Sequence, residues 1–216
     1  MATRYYLPST GASDVNPAFD AGWAETADAD RRQMVLTKIS SADTAKSVTT
    51  LSVAETELVR QYVGPTLGPQ TISGTVKCQV RALEGGIGSA DAICRLMLKI
   101  VSNDGSTVRG NLLALEDYGS GLEWALGSAT NRSFSLGPAI ASVTTQNGDR
   151  AVLELGCFHA AVALTVTLNF SDDNGTDLPE DETETAAFNP WLEFSQTLLP
   201  QGEGTTQDLF VTGAVS

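Results

Sequence analysis

The sequence is poor in the residues that most often carry catalysis and metal binding. It has one histidine, His159, and three cysteines in 216 residues. A Ser-His-Asp triad would need that histidine, and no Gly-x-Ser-x-Gly elbow accompanies it, so we expect a structural histidine. Cys78, Cys94 and Cys157 are odd in number and lack Cys-x-x-Cys spacing, which argues against a disulfide framework and a zinc site. The sequence therefore predicts a protein that is not an enzyme.

Basic residues and long apolar runs are also scarce. Lys and Arg total 13 against 26 Asp and Glu, which gives a formal charge of −13 and a pI near 4.3. Such a surface repels phosphates and anionic lipids, so we expect no direct nucleic-acid or membrane partner. No run approaches ~18 apolar residues, and the first residues lack the apolar core of a signal peptide. These features predict a soluble protein made in the cytoplasm.

Alternating apolar and polar residues dominate the middle of the chain. From Thr71 to Ala82 the even positions are mainly apolar and the odd positions polar, which predicts one long half-buried strand. Asn103-Asp104-Gly105 and Asn147-Gly148 are strong hairpin signals between further alternating runs. We therefore predict an all-β fold, an antiparallel two-sheet β-sandwich over residues 34–199 with a jelly-roll-like topology.

The two ends of the chain lack this alternation. Residues 1–33 predict an irregular, extended N-terminal arm, and residues 200–216 a C-terminal tail. Aromatic and apolar side chains spaced through such segments usually anchor them to a surface, either their own or a partner's. The candidate partner-binding residues are Tyr5, Tyr6, Phe19, Trp23, Leu209 and Phe210.

One acidic segment, residues 171–185, concentrates carboxylates. Asp172, Asp173 and Asp177 are candidate Ca²⁺ ligands, because Ca²⁺ prefers several hard oxygen ligands in flexible geometry. The spacing does not match an EF-hand, and a solvated acidic loop is the commoner explanation of such a segment. No other cofactor is predicted. Trp124, in a loop flanked by Gly and Ser, is the best candidate for an exposed glycan-binding platform, although core packing is the commoner role of tryptophan.

Several stretches of the sequence together carry a family resemblance. They include Tyr6-Leu7-Pro8, Arg60-Gln61-Tyr62-Val63, Gln70-Thr71-Ile72-Ser73-Gly74-Thr75-Val76-Lys77, Asn103-Asp104-Gly105-Ser106-Thr107 and Asn189-Pro190-Trp191-Leu192-Glu193-Phe194. These stretches resemble a largely uncharacterised family of tailed-bacteriophage and prophage proteins that are associated with virion structural genes. The similarity spans roughly residues 5–199, and its motifs carry no known catalytic role.

The resemblance implies a virion component, and the negative charge favours a position outside the shell, away from packaged DNA. The expected function is a capsid cement or decoration protein that stabilises the shell by bridging neighbouring subunits. Its expected partners are the major capsid protein and itself, as a homotrimer on the outer surface of the virion. The alternative is a tail-associated host-recognition module that binds glycans.

Overall fold

The computed structural model describes residues 2–38, 44–49, 55–85, 92–117, 123–135, 139–159, 164–170 and 189–202. These ranges contain thirteen strands. They are β1 (Thr3–Tyr6), β2 (Asp30–Gln33), β3 (Thr44–Thr49), β4 (Glu55–Thr66), β5 (Gln70–Ile72), β6 (Val76–Gly85), β7 (Ile93–Val101), β8 (Val108–Asp117), β9 (Thr130–Ser135), β10 (Val143–Thr145), β11 (Arg150–His159), β12 (Thr165–Phe170) and β13 (Trp191–Phe194).

The strands form two main sheets. In the first sheet, β6 pairs with β9 on one edge and with β12 and β13 on the other, and β3 and β1 lie outside these two. The second sheet has the order β2-β4-β11-β7-β8, and β5 and β10 form a separate small ribbon. Every strand pair between these elements is antiparallel except β2 with β4. The prediction of an all-β sandwich is confirmed.

A shared apolar core joins the two sheets. Alternate side chains of β6 in the first sheet and of β11 in the second belong to one buried cluster. The rings of Tyr62 and Phe170, one from each sheet, lie 5.6 Å apart between centroids. Because the side chains of a strand alternate between its two faces, the polar neighbours of these core residues point away from the core.

On one side of β6, each of the next two strand positions of the first sheet is occupied by two short strands that lie end to end. Asn169 of β12 pairs with Arg81 of β6, and Trp191 of β13 pairs with Gln79, two residues further along the same edge. The strands β12 and β13 therefore lie end to end although 20 residues separate them in sequence. The next position outward is split in the same place, because Thr44 of β3 pairs with Phe170 and Tyr6 of β1 pairs with Trp191.

The long strand predicted from Thr71 to Ala82 is broken in two, and the prediction of one strand is wrong. Gly74 has φ +92°, a left-handed conformation that ends the extended backbone between β5 and β6. Because Gly74 interrupts the strand, β5 can pair with β10 while β6 joins the first sheet. The alternation continues through the break and hides it from the sequence.

One of the two predicted hairpins is confirmed. The turn after β7 contains Gly105 at φ +76°, and β7 pairs with β8 across it. The turn at Asn147-Gly148 also forms, with Gly148 at φ +92°, but it does not make a hairpin. It leads from β10, which pairs with β5, to β11, which pairs with β4 and β7. The sequence predicts the turn correctly, but the prediction that the strands on either side of it pair with each other is wrong.

The first 33 residues supply strands to both sheets. In place of an extended arm, β1 pairs with β13 in the first sheet and β2 pairs with β4 in the second. The start of the predicted tail is also fastened, because Gln201 donates its backbone N–H to the Thr66 carbonyl at 3.0 Å. Residues 203–216, with Leu209 and Phe210, lie outside the described residues.

Candidate functional site

The outer face of the second sheet is covered by a segment that we call the strap, residues 13–23. On β11, Leu153 and Leu155 belong to the core, so Glu154 between them points to the opposite face. Gln61 of β4 pairs with Glu154 and shares that face. The strap lies on these polar side chains, and Glu154 is fully buried beneath it.

The carboxylate of Glu154 accepts four hydrogen bonds. Its Oε1 accepts from Lys99 Nζ at 2.6 Å and from Gln61 Nε2 at 2.9 Å. Its Oε2 accepts from the Trp23 indole Nε1 at 2.6 Å and from the Asp20 backbone N–H at 3.1 Å. Two donors come from the sheet and two from the strap, so a buried carboxylate with its lone pairs satisfied joins the two.

Further polar contacts fasten the strap along its length. Lys99 Nζ also donates to the Ala18 carbonyl at 2.8 Å, and Arg31 donates to the Pro17 carbonyl at 3.2 Å. The Arg150 guanidinium binds both carboxylate oxygens of Asp14, at 2.8 and 3.0 Å. Because paired charges and carbonyls replace water at each point, the strap is an integral layer of the fold.

The predicted aromatic anchors of the N-terminal region contact this chain itself. Tyr5 is 2% exposed and packs edge-on against Phe194, with ring centroids 6.1 Å apart. Trp23 is 6% exposed. Tyr6 and Phe19 are half-buried, and the Arg31 guanidinium lies 3.9 Å above the Phe19 ring. Their contact with a partner stays a prediction, as it does for Leu209 and Phe210.

A second charged region lies where β4 begins and β11 ends. Four carboxyl side chains approach one another there, from Glu25, Asp28, Glu55 and Glu57. Glu57 is 2% exposed, and its Oε2 has no hydrogen-bond partner in the part of the chain that the structure describes. Burial, followed by repulsion from Asp28, Glu55 and Glu25, raises the pKa of Glu57 to about 7. Strand register places the fully buried His159 beside Glu55, with His159 Nε2 3.6 Å from Glu55 Oε1.

The three cysteines are buried free thiols. Cys94 of β7 pairs in register with Cys157 of β11, and both belong to the core with Cys78. Burial raises the pKa of Cys78 to about 12 and raises the pKa of the other two thiols well above the ordinary value. A thiol that stays protonated is a poor nucleophile, so the three cysteines act as small buried hydrophobic residues.

The other predicted site residues fall into two groups. Trp124 is fully buried, so it offers no exposed platform for a glycan. Asp172, Asp173 and Asp177 lie outside the described residues. Within the ranges that the structure describes, no three histidine, cysteine or acidic side chains are placed to hold a metal ion. The same ranges contain no helix of the length and apolarity that a membrane crossing requires.

Sequence reasoning missed Glu154 and Lys99. Both occupy the polar phase of an amphipathic strand, where a charged side chain usually faces water. Their burial follows from the strap, which lies more than 70 residues away in sequence. A usable signal was Trp23, because a buried indole N–H needs an acceptor.

Comparisons with known proteins give distant structural likeness only. No family model and no curated protein matches the chain. An α-amino acid ester hydrolase is similar at a TM-score of 0.44 and 8% identity, over 88% of this chain and 35% of that chain. The infectious bursal disease virus VP2 subviral particle is similar at 0.28 and 10% identity, over 71% of this chain and 37% of that chain. A CocE/NonD family hydrolase from Staphylococcus aureus is similar at 0.28 and 10% identity, over 92% of this chain and 35% of that chain.

The chain spans about a third of the length of the solved structures that it matches. These structures include a viral capsid protein, at a similarity too low to assign a function. They also include hydrolases, which corrects the expectation that the protein is not an enzyme. That expectation rested on the single histidine and the missing catalytic motifs, which do not exclude an enzymatic activity.

Proposed function

We propose that the protein is a structural component of a tailed-bacteriophage virion, a cement or decoration protein on the outer surface of the capsid. The observation that carries the proposal is the separation of charge along the chain. All 13 basic residues lie between Arg4 and Arg150, whereas 11 of the 26 acidic residues lie in residues 151–216. Residues 151–216 contain no lysine or arginine, so this part of the sequence carries a formal charge of −11 with no cation to offset it.

Many of the basic side chains pair with acidic neighbours of the same chain. Among the described residues, seven form ion pairs, namely Arg4–Glu193, Arg32–Asp30, Arg60–Asp30, Arg95–Asp117, Lys99–Glu154, Arg109–Asp149 and Arg150–Asp14. A chain of charge −13 in which more than half of the 13 cations are paired internally repels nucleic-acid phosphates. This supports a position outside the shell, away from packaged DNA.

The proposed partners are the major capsid protein and further copies of this chain, in a homotrimer that bridges shell subunits. A rigid body held by many internal contacts suits a protein that resists mechanical strain between its neighbours. Tyr5 and Trp23 are buried in their own fold, so they would bridge subunits only if β1 and the strap exchanged between copies. Leu209 and Phe210 are the remaining apolar candidates for such contacts.

The alternative is a tail-associated, glycan-binding module for host recognition. The burial of Trp124 removes its proposed platform, which leaves the acidic segment with Asp172, Asp173 and Asp177, with or without Ca²⁺, as its candidate site. A glycan array with and without Ca²⁺ tests this alternative directly, since a cement protein should show no selectivity for saccharides.

The deciding experiment is immunogold labelling of intact phage particles with antibody against the body, residues 34–199. Label spread over the head is expected, together with binding of purified protein to shells that lack it. Label confined to the tail would refute the cement function and favour the glycan-binding alternative. Absence of label from both intact and disrupted particles would refute both.

A further inference from the structure

The segment that follows the strap, residues 24–29, lies along the beginning of β4 and is called the clasp. Ala24 and Glu25 donate their backbone N–H groups to the Thr56 carbonyl at 3.1 and 3.0 Å. Leu58 donates its N–H to the Glu25 carbonyl at 3.0 Å. These three bonds continue the parallel pairing along β4, with the register shifted by two residues relative to β2, so that Glu25 sits opposite Glu57.

Glu57 lies beside the clasp, on the face of β4 that it shares with the core residue Cys157. The residue is 2% exposed, and its Oε2 has no hydrogen-bond partner among the described residues, which is costly for an ionised carboxylate. Titratable groups face it from every neighbouring element: Glu25 and Asp28 in the clasp, Glu55 on its own strand, Lys46 on β3, and Cys157 and His159 on β11.

Among the facing groups, Lys46 is the cation that favours ionisation of Glu57. Its Nζ donates to the Asp28 carbonyl at 2.6 Å, so the clasp itself holds it. The Cys157 thiol stays neutral because burial raises its pKa, and His159 lies closest to Glu55. Three carboxyl groups therefore face Glu57 against one lysine.

We propose that Glu57 is a proton-operated switch: its protonated carboxyl keeps the clasp on β4, and its ionisation releases the clasp. Ionisation would place a buried charge opposite the half-buried Glu25 and close to Asp28, with no hydrogen-bond donor on its Oε2 among the described residues. Release of the clasp exposes Glu57 to water and separates it from both of these carboxylates. The proton thus favours the closed form because only that form keeps Glu57 buried.

The direction of the effect follows from linkage between proton binding and closure. Glu57 has a pKa of about 7 beside the clasp and an ordinary pKa of 4.5 when it is exposed. The stabilisation of the closed form is complete below pH 4.5, falls as pH rises towards 7, and is absent above 7. A gap of about 2.5 pH units corresponds to at most ~300-fold in the equilibrium constant for closure.

Hydrogen exchange of the full chain, followed by NMR between pH 5 and 8, tests the switch. The amides of Ala24, Glu25 and Leu58 report clasp opening, and amides in the middle of β11 report global unfolding. After correction for the intrinsic pH dependence of exchange, protection of the three clasp amides should fall by at least tenfold over this range. Protection of the β11 amides should fall much less.

Two variants distinguish the switch from general alkaline loosening. Glu57→Gln should keep the clasp amides protected at pH 8, whereas Glu116→Gln, at an exposed position of β8, should behave as the wild type. Lys46→Met removes the cation that lowers the pKa of Glu57, so the midpoint should move to higher pH.

A direct titration of the Glu57 side-chain carboxyl carbon in the wild type needs no variant to fold. A midpoint below 5.5 would overturn the proposal, and so would clasp protection that is independent of pH. A pH-dependent loss of protection that persists in Glu57→Gln would overturn it as well.

Discussion

Replacing Glu154 by glutamine should destabilise the protein more than almost any other isosteric change. The Glu154 carboxylate is fully buried and accepts from Lys99, Gln61, Trp23 and the Asp20 backbone. In Glu154→Gln the Lys99 ammonium loses its counter-ion, and the new amide NH₂ faces groups that are themselves donors. Removing one partner of a buried ion pair typically costs about 3–5 kcal/mol, so we expect a loss in that range.

Urea denaturation followed by circular dichroism measures this cost, and Glu116→Gln on the exposed side of β8 is the matched control. The control should change the free energy of unfolding by less than about 0.5 kcal/mol. The double variant Glu154→Gln/Lys99→Met should cost less than the sum of the two single changes, because Met leaves no ammonium to compensate. A cost below about 1 kcal/mol for Glu154→Gln, or strict additivity, would refute the buried-charge reasoning.

Three further predictions follow from burial and from strand register. The buried Cys78, Cys94 and Cys157 should not react with a thiol reagent such as DTNB until urea unfolds the chain, and fast reaction in native buffer would contradict their burial. Replacing residues 171–188 by Gly-Gly should leave the melting temperature nearly unchanged, because β12 and β13 already lie end to end on β6. Deleting residues 1–30 should abolish the cooperative melting transition, because the deletion removes β1 and the strap. An unchanged melting transition would instead support the prediction of an N-terminal arm that is independent of the β-sandwich.

The sequence predicted the burial of one side of β6 well and the other side poorly. Val76, Cys78, Val80 and Ala82 are all at most 1% exposed, as the alternation requires. Gln79 was expected to face water, but it is fully buried between Ser133 and Trp191 of the neighbouring strands. Alternation identifies the two faces of a strand, but it cannot reveal whether a distant segment covers the outer one.

The same limit explains the candidate site. The aromatic residues of the first 33 positions were correctly expected to anchor their segment, with their own surface and a partner's as the two alternatives. The structure selects the chain's own surface for Trp23, because the indole N–H of Trp23 donates to Glu154 Oε2, which lies 131 residues away in sequence. The sequence also gives no indication that β12 and β13 lie end to end on the same edge of β6, because neither segment contains a local pattern that specifies its pairing partner.

Glu57 and Glu154 show how one residue type acquires opposite roles on adjacent strands. Both are buried, with 2% and 0% of the residue exposed, but they lie on opposite faces of the second sheet: Glu57 of β4 pairs with the core residue Cys157, whereas Glu154 of β11 faces the strap. Glu154 meets four donors, so its charge is compensated and the strap is held whatever happens to the clasp. Glu57 meets three carboxyl groups and one lysine, and its Oε2 has no hydrogen-bond partner among the described residues, so its protonated form is favoured while it is buried. Because Trp23 is bonded to Glu154 at the junction of strap and clasp, opening of the clasp should stop at Trp23.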